Sequence, residues 1–277
     1  QAGVIWFGTA NEGVFQYRNN QLIRFLPDSE ISQVEVHDIK QGYDGEIWLA
    51  SNKGLFQYKD KSITCFTTED GLAENYVQKL LLDRFGGLWL CHGRRFMETA
   101  SGSGLTYYKD NRFHVFTQQH GLPSNTVTSA CQGINGDIWF GTDQGLAYYD
   151  GRSFRTYNTQ NGLPTNKIVS LLMDDRQNLW IGLDQGISRF SKGGFVNYTK
   201  DDSDGLVDGT VNCIFQTVEG SIWFGTFSGA LKLDDISLIN YSLSDGLASN
   251  KLKTILVTEK NQLWISSDSP EGEGLTL

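Results

Sequence analysis

The five residues from Ile138 to Thr142 read Ile-Trp-Phe-Gly-Thr, and the same five stand at residues 5–9 and 222–226. Seven tryptophans recur along the chain at intervals of 42, 41, 50, 41, 43 and 41 residues. They are Trp6, Trp48, Trp89, Trp139, Trp180, Trp223 and Trp264. A repeat of roughly 40 to 50 residues is typical of β-propellers. The spacing therefore predicts one propeller blade for each tryptophan.

Each repeat divides into four short strands, lettered A to D, that are separated by turn residues. In the fourth repeat, strand A covers residues 127–131, and Asn135-Gly136 is a pair that suits a two-residue hairpin. Strand B carries the tryptophan, strand C covers residues 145–149, and strand D covers residues 154–157. We expect a seven-bladed β-propeller of four-stranded antiparallel blades, forming one domain over residues 1–277, with each tryptophan packed between blades.

The first and last blades are expected to be incomplete. Only five residues precede Trp6, so the first blade lacks strand A, and thirteen follow Trp264, so the last lacks strand D. This gives 26 strands by prediction. Because propellers cover their strand edges, we infer a piece of a longer chain whose remaining parts are partners of this segment.

Glycine and asparagine mark two recurrent turns. A glycine follows strand B in every repeat, which indicates a backbone requirement. These glycines are Gly13, Gly54, Gly104, Gly145, Gly186, Gly229 and Gly274. The links from D to the next A repeat a motif such as His120-Gly-Leu-Pro-Ser-Asn125. Its last position predicts a positive φ at Asn75, Asn125, Asn166, Gly209 and Asn250. The first link, residues 26–34, lacks the motif, so we expect a different path there.

Composition excludes several classes of protein. The formal net charge of −9 disfavours nucleic acid and anionic membrane surfaces as partners. No run of 18 apolar residues is present, so this segment itself is not expected to contact a membrane. The four cysteines stand far apart, without the spacing of a zinc or redox site, and no cofactor is expected.

The combination Ile-Trp-Phe-Gly-Thr, Gly-Leu-x-x-Tyr, Phe-x-x-Tyr and Gly-Leu-Pro-x-Asn resembles the propeller repeat of two-component regulators. The resemblance covers almost the whole chain, although residues 88–92 and 263–267 lose the Gly-Thr pair. It implies the extracytoplasmic sensor region of a membrane-anchored histidine kinase, often a hybrid one, or of a diguanylate cyclase. It also implies a periplasmic or extracellular location, and a small-molecule or oligosaccharide ligand, since several such propellers respond to carbohydrate fragments.

One long connection between strands B and C is the candidate ligand site. Residues 93–103 account for the interval of 50, and Arg94, Arg95 and Phe96 stand beside His92. Guanidinium groups bind carboxylates in bidentate fashion, and aromatic rings stack on sugar faces. The alternative is a solvated loop, or one that packs on a neighbouring domain.

A weak calcium candidate lies in the fifth link. Asp202, Asp204 and Asp208 are closely spaced, but the spacing is not that of an EF-hand and no bidentate Glu follows. A polar link with turn-forming aspartates is the alternative.

Catalytic residues are not expected. The four histidines, His37, His92, His114 and His120, occupy different places in the repeat, and no Gly-x-Ser-x-Gly element occurs. The sequence thus favours a non-catalytic ligand-binding propeller. The alternatives are a protein-interaction or dimerisation scaffold, including a homodimer, and, remotely, a propeller lyase of the virginiamycin-inactivating type.

Overall fold

A computed structural model describes residues 4–93, 102–199, 209–234, 237–257, 263–269 and 272–276. Its contacts divide the chain into two compact units, Gln1–Thr128 and Ser129–Leu277, and each is described by itself. That residues 1–277 form a single domain stays a prediction. Among the helices of the described ranges, none is long and apolar enough to span a membrane.

The first three sheets belong to the first unit. They consist of β1 (Ile5–Gly8), β2 (Val14–Arg18) and β3 (Gln21–Phe25); β4 (Val36–Gln41), β5 (Ile47–Ser51), β6 (Gly54–Lys59) and β7 (Ser62–Phe66); and β8 (Lys79–Leu82), β9 (Leu88–His92), β10 (Gly104–Lys109) and β11 (Arg112–Phe116). Neighbouring strands are antiparallel and follow one another along the chain. A short 3-10 helix, Glu30–Gln33, lies between the first two sheets.

The fourth sheet contains the boundary between the units, and three further sheets follow in the second unit. They consist of β12 (Val127–Gln132), β13 (Ile138–Thr142), β14 (Gly145–Tyr149) and β15 (Phe154–Tyr157); β16 (Ile168–Met173), β17 (Leu179–Leu183), β18 (Ile187–Ser191) and β19 (Gly194–Tyr198); β20 (Val211–Gln216), β21 (Ile222–Thr226), β22 (Gly229–Asp234) and β23 (Ser237–Tyr241); and β24 (Lys251–Val257), β25 (Leu263–Ser269) and β26 (Gly272–Thr276). Further 3-10 helices are Gln118–His120, Thr159–Asn161 and Leu243–Asp245.

The structure is an all-β propeller with four-stranded antiparallel blades, but the predicted number of seven blades is wrong and is corrected to six. Seven complete four-stranded blades would need two strands more than the 26 that the described residues contain. Five sheets have four strands, whereas the first and the last have three each. Counting tryptophans overestimates the number of blades because a partial sheet also contains a strand B.

Trp48 and Trp180 pack between neighbouring sheets, as predicted for the tryptophans of the repeat. Trp48 and Trp180 are 4% and 3% exposed. The ring of Trp48 lies 5.4 Å from that of Tyr108 in the next sheet of the first unit. In the second unit, Trp180 lies 5.6 Å from Phe224. Each buried indole removes roughly 150–250 Å² of surface from water, so these contacts hold successive sheets together.

The backbone requires glycine after strand B, as the repeat predicts, because φ is positive there and a carbonyl oxygen lies close by. Gly54 and Gly104 have φ values of 137° and 97°. A Cβ atom there would lie 2.3 Å from the carbonyl oxygen of Phe66 or 2.1 Å from that of Phe116. Since strand D passes this close, no side chain fits at these positions.

The predicted positive φ at four link asparagines, Asn75, Asn125, Asn166 and Asn250, is wrong. None of them adopts it, whereas Gly209 does, with φ 154°. The glycine of the motif turns the chain instead, as at Gly121 with φ 99°. The asparagine side chain makes a hydrogen bond, since Oδ1 of Asn125 accepts from the backbone N–H of Gln118 at 2.8 Å. The same contact recurs for the other three asparagines.

Candidate functional site

His92 is the only member of the predicted ligand site that lies in the described residues; Arg94, Arg95 and Phe96 lie outside them. It is the last residue of β9 and is fully buried. At the corresponding position of the fourth sheet, the hydroxyl of Thr142 donates to the carbonyl oxygen of Gly145 at 2.7 Å and closes a short turn. His92 replaces that hydroxyl where the connection to strand C is long.

Both ring nitrogens of His92 are hydrogen bonded. Nδ1 lies 3.0 Å from the carbonyl oxygen of Tyr76, and Nε2 lies 2.8 Å from the hydroxyl oxygen of Thr106. A carbonyl oxygen only accepts, so Nδ1 carries the proton and Nε2 accepts from Thr106. The Thr106 oxygen in turn accepts from the N–H of Ala73 at 3.0 Å. This His92 network joins the second link to strands B and C of the third sheet.

Burial of the imidazole in this network lowers the pKa of His92 to about 4, although the hydrogen bond to Tyr76 opposes the shift. The ring is therefore neutral at physiological pH. The ring is fully enclosed at the start of the 93–103 connection, and its part in ligand binding stays a prediction.

A cavity of about 650 Å³ lies elsewhere in the first unit, at the first link. It is lined by Pro27, Asp28, Ser29, Glu30, Ser32, Gln33, Val34, Lys53, Phe56 and Cys65. Sequence reasoning did not identify it as a site. In the sequence, the absence of the link motif from residues 26–34 is the feature that marks this place. The different path that we expect there is confirmed: the link contains the 3-10 helix Glu30–Gln33, and Leu26 has a φ of 48°.

This first-link cavity exists because, among the described residues, the first link lacks the hydrogen bonds that other links make with strands C and D of the next sheet. In the third sheet, Thr106 at the third position of strand C binds the link N–H of Ala73. In the fifth sheet, Asn197 at the fourth position of strand D donates to the link carbonyl of Gly162 at 2.9 Å. In the second sheet these two positions hold Phe56 and Cys65, which face each other across β6 and β7. Neither side chain offers the corresponding hydrogen bond, and a space remains.

The walls of the first-link cavity carry charges of both signs. Asp28, Glu30 and Lys53 are exposed, and among the described residues none of the three has an oppositely charged group within 4.0 Å. Burial raises the pKa of the Cys65 thiol, and the carboxylates of Glu30 and Asp70 raise it further.

Two other polar side chains of the first unit, His37 and Asp38, are used in structural contacts. Nδ1 of His37 lies 2.7 Å from the carbonyl oxygen of Val77. Asp38 accepts from the N–H of Leu80 at 3.0 Å and lies 3.3 Å from the Lys79 ammonium. Burial raises the pKa of Asp38, but the nearby lysines and this hydrogen bond outweigh it, so the pKa is lowered. These contacts bind β4 to β8.

Metal binding has no support within the described ranges, where no three His, Cys, Asp or Glu side chains lie together in a way that could hold an ion. The calcium candidate, Asp202, Asp204 and Asp208, lies outside those ranges, so its prediction is untested. His120 serves a link: its Nδ1 accepts from the backbone N–H of Thr117 at 3.0 Å.

Large apolar side chains are exposed at the turns between strands A and B. Tyr43 and Phe85 in the first unit are 67% and 62% exposed. Ile134 and Val218 in the second unit are 59% and 84% exposed. A single exposed apolar residue is ordinary, but its recurrence in equivalent turns indicates a contact surface on each unit by itself.

Comparison with protein families identifies the repeat. The model of the two-component regulator propeller matches residues 121–144, 162–185 and 205–228, and each match contains a link, strand A and part or all of strand B. The chain carries two-component regulator propeller repeats. The family predicted from the motifs is thereby confirmed. The comparison of this regulator propeller with curated proteins finds no match.

Solved structures share the fold of the regulator propeller at low identity. The extracellular domain of a putative hybrid two component system from B. thetaiotaomicron has a TM-score of 0.80 at 17% identity, over 99% of this chain and 37% of the other. PorZ, a surface component of the type-IX secretion system of Porphyromonas gingivalis, has 0.74 at 16%, over 99% and 45%. A catalytically inactive virginiamycin B lyase from Staphylococcus aureus with Quinupristin has 0.73 at 14%, over 100% and 92%.

The regulator propeller spans less than half the length of the first two of these structures. At such identities the likeness shows the fold alone. The activity of a whole receptor is thus a matter for proposal.

Proposed function

We propose that this chain is the non-catalytic, ligand-sensing propeller of a membrane-anchored receptor of the two-component type. Its location is the periplasmic or extracellular side, and its partners are a small-molecule or oligosaccharide ligand and the neighbouring domains of a longer chain. The observation that carries the proposal is the coincidence of two-component regulator propeller repeats with the fold of the extracellular domain of a hybrid two component system.

The arrangement of the first unit supports ligand binding in the connections between strands. The His92 network fixes the start of the 93–103 connection, which carries Arg94, Arg95 and Phe96. Connections held on a rigid scaffold are common binding elements. We assign recognition of a carboxylate or a sugar ring to these three residues and a supporting role to His92.

A thermal-shift screen of this chain against oligosaccharides, organic acids and calcium tests the sensing function. A ligand that binds only the folded state raises the melting temperature. We expect a hit among the oligosaccharides or acids, and its loss in the Arg94→Ala/Arg95→Ala variant. Arg112→Ala, an exposed arginine on β11, is the matched control. A folded sample that responds to no compound would contradict ligand sensing by this segment.

A non-catalytic role is supported by the structural contacts of three of the four histidines. His92 is enclosed, Nδ1 of His37 binds a backbone carbonyl, and His120 caps a link. The lyase alternative is tested by incubating this chain with Quinupristin and analysing the mixture by liquid chromatography with tandem mass spectrometry, which separates a ring-opened product of the same mass from the intact compound. We expect the intact compound, and its conversion to a cleaved product would refute the assignment.

Docking or homodimerisation is a second candidate function, favoured by the exposed apolar turns. We expect sedimentation velocity to show self-association that weakens in the Phe85→Ser variant and persists in Leu243→Ser, a change of an exposed apolar residue in a link between strands D and A. A monomer at every concentration would remove the homodimer.

A further inference from the structure

The first-link cavity carries two carboxylates and one ammonium around an apolar floor, and within the described part of the chain none of the three has an ion-pair partner. Cavities of several hundred Å³ with few convergent polar groups are the usual form of small-molecule sites. Its volume of about 650 Å³ lies in that range. The charged groups restrict the chemical class of the ligand more than the cavity volume does.

We propose that the first-link cavity binds a small zwitterion with a free amino group, a carboxylate and an apolar side chain, such as an amino acid or a short peptide. The ammonium of the ligand lies against Asp28 and Glu30, its carboxylate against Lys53, and its side chain against Phe56 and Cys65. The inference rests on the proposed sensing function and names a ligand class and a site for it.

Some polar groups around the cavity make hydrogen bonds within the protein, whereas others are available to a ligand. The hydroxyl of Ser29 donates to the carbonyl of Leu26 at 2.7 Å, and the carbonyl of Ser32 accepts from the Arg24 guanidinium at 2.7 Å. These groups hold the link in its path. The carboxylates of Asp28 and Glu30 make no such contact with the described residues, so they are free to bind a ligand.

The apolar floor of the cavity favours a ligand that has an apolar side chain. Phe56 is 2% exposed and forms the base of the cavity together with the partly exposed Cys65. Water against this floor gains few hydrogen bonds, and an apolar group would replace it favourably. Because Glu30 carries a carboxylate and Lys53 an ammonium, the ammonium of the ligand lies on the side of Glu30 and its carboxylate on the side of Lys53.

Alkylation of Cys65 reports on the site directly. Its thiol lines the cavity, whereas Cys213 lies in the second unit and serves as an internal reference. The probes are L-phenylalanine, phenethylamine, which lacks the carboxylate, and 3-phenylpropionate, which lacks the amino group. The rate of iodoacetamide labelling at each cysteine is measured by peptide mass mapping over a series of probe concentrations.

We expect L-phenylalanine to slow labelling of Cys65 and to leave Cys213 unchanged. Phenethylamine and 3-phenylpropionate should need about tenfold higher concentrations, because each loses one charge-assisted contact. Asp28→Asn/Glu30→Gln should weaken protection by L-phenylalanine about tenfold, whereas Glu69→Gln, an exposed acid in the second link, should have no effect. Unchanged melting temperatures of both variants verify folding.

Three outcomes would overturn this assignment. They are absence of protection by all three probes, equal protection by phenethylamine and L-phenylalanine, and full protection in the double variant. A thermal-shift hit with an oligosaccharide that leaves Cys65 labelling unchanged would refute the site while the sensing function stands. A folded protein that responds to no probe in either assay would refute both.

Discussion

Acidification should destabilise this protein through His92. The ring is neutral in the folded state, where its pKa is lowered to about 4, whereas the unfolded chain binds a proton near the ordinary value of about 6.5. A group whose folded pKa is depressed by burial of its neutral form costs stability as the pH falls through this window. The contribution is constant above about pH 7 and is lost progressively down to about pH 4.

The magnitude follows from the shift. One pKa unit corresponds to about 1.4 kcal/mol, so His92 should cost about 2 kcal/mol of unfolding free energy between pH 7 and pH 5, and about 3 kcal/mol by pH 4. Protonation would also break the hydrogen bond that Nε2 accepts from Thr106. The third sheet and the second link should therefore respond first.

Urea unfolding followed by tryptophan fluorescence measures this dependence at pH 7, 6, 5 and 4.5. The His92→Gln variant should be less stable at pH 7 but should lose about 2 kcal/mol less than the wild type on going to pH 5. His114→Gln, at an exposed position of β11, should keep the wild-type dependence. NMR of the imidazole should show a His92 midpoint near 4, and a midpoint near 6.5 or identical pH slopes in all three proteins would refute the reasoning.

Three further predictions concern the backbone and the contacts between sheets. Gly54→Ala should lower the melting temperature by several degrees more than Gly45→Ala, because both have positive φ but only Gly54 has a backbone oxygen at 2.3 Å from the added Cβ; equal losses would contradict the steric argument. Asn125→Ala should cost about 1 kcal/mol in urea unfolding, since a backbone N–H loses its acceptor; unchanged stability would show that the contact is dispensable. Asp38→Asn should cost roughly 1–2 kcal/mol at pH 7 and reduce the salt dependence of stability, because the Lys79 pair is lost; a salt dependence like that of the wild type would argue against that pair.

Strand positions and turn glycines could be predicted from the sequence because they follow from local chemistry. The tryptophan period and the alternation of apolar residues locate the strands, and the glycine after strand B is required wherever strand D passes close to it. The link asparagine was misjudged because two roles suit the same residue. Asparagine tolerates a positive φ, but its side chain can also accept a hydrogen bond from the backbone, as Asn125 does from the N–H of Gln118. The glycine of the same motif, Gly121, already makes the turn.

The candidate site was predictable only in part, because cavities and burial depend on residues distant in the chain. His92 stands beside two arginines in the sequence, which favours a ligand role, yet Tyr76 and Thr106 enclose it. The first-link cavity requires a departure in residues 26–34 together with Phe56 and Cys65. Only the first of these was visible as an interrupted motif.

The small number of hydrogen bonds that hold each link has an evolutionary consequence. A link such as residues 117–125 is held by its own capping contacts, and other links are also held by single positions of the following sheet, so the exchange of a link leaves the strands of both sheets intact. A single link replaced by a shorter or differently folded segment can thus open a cavity, and a restored link with matching partners at positions 56 and 65 can close it. New ligand preferences can arise in this way one link at a time, while the hydrophobic core that keeps the sheets together is inherited unchanged.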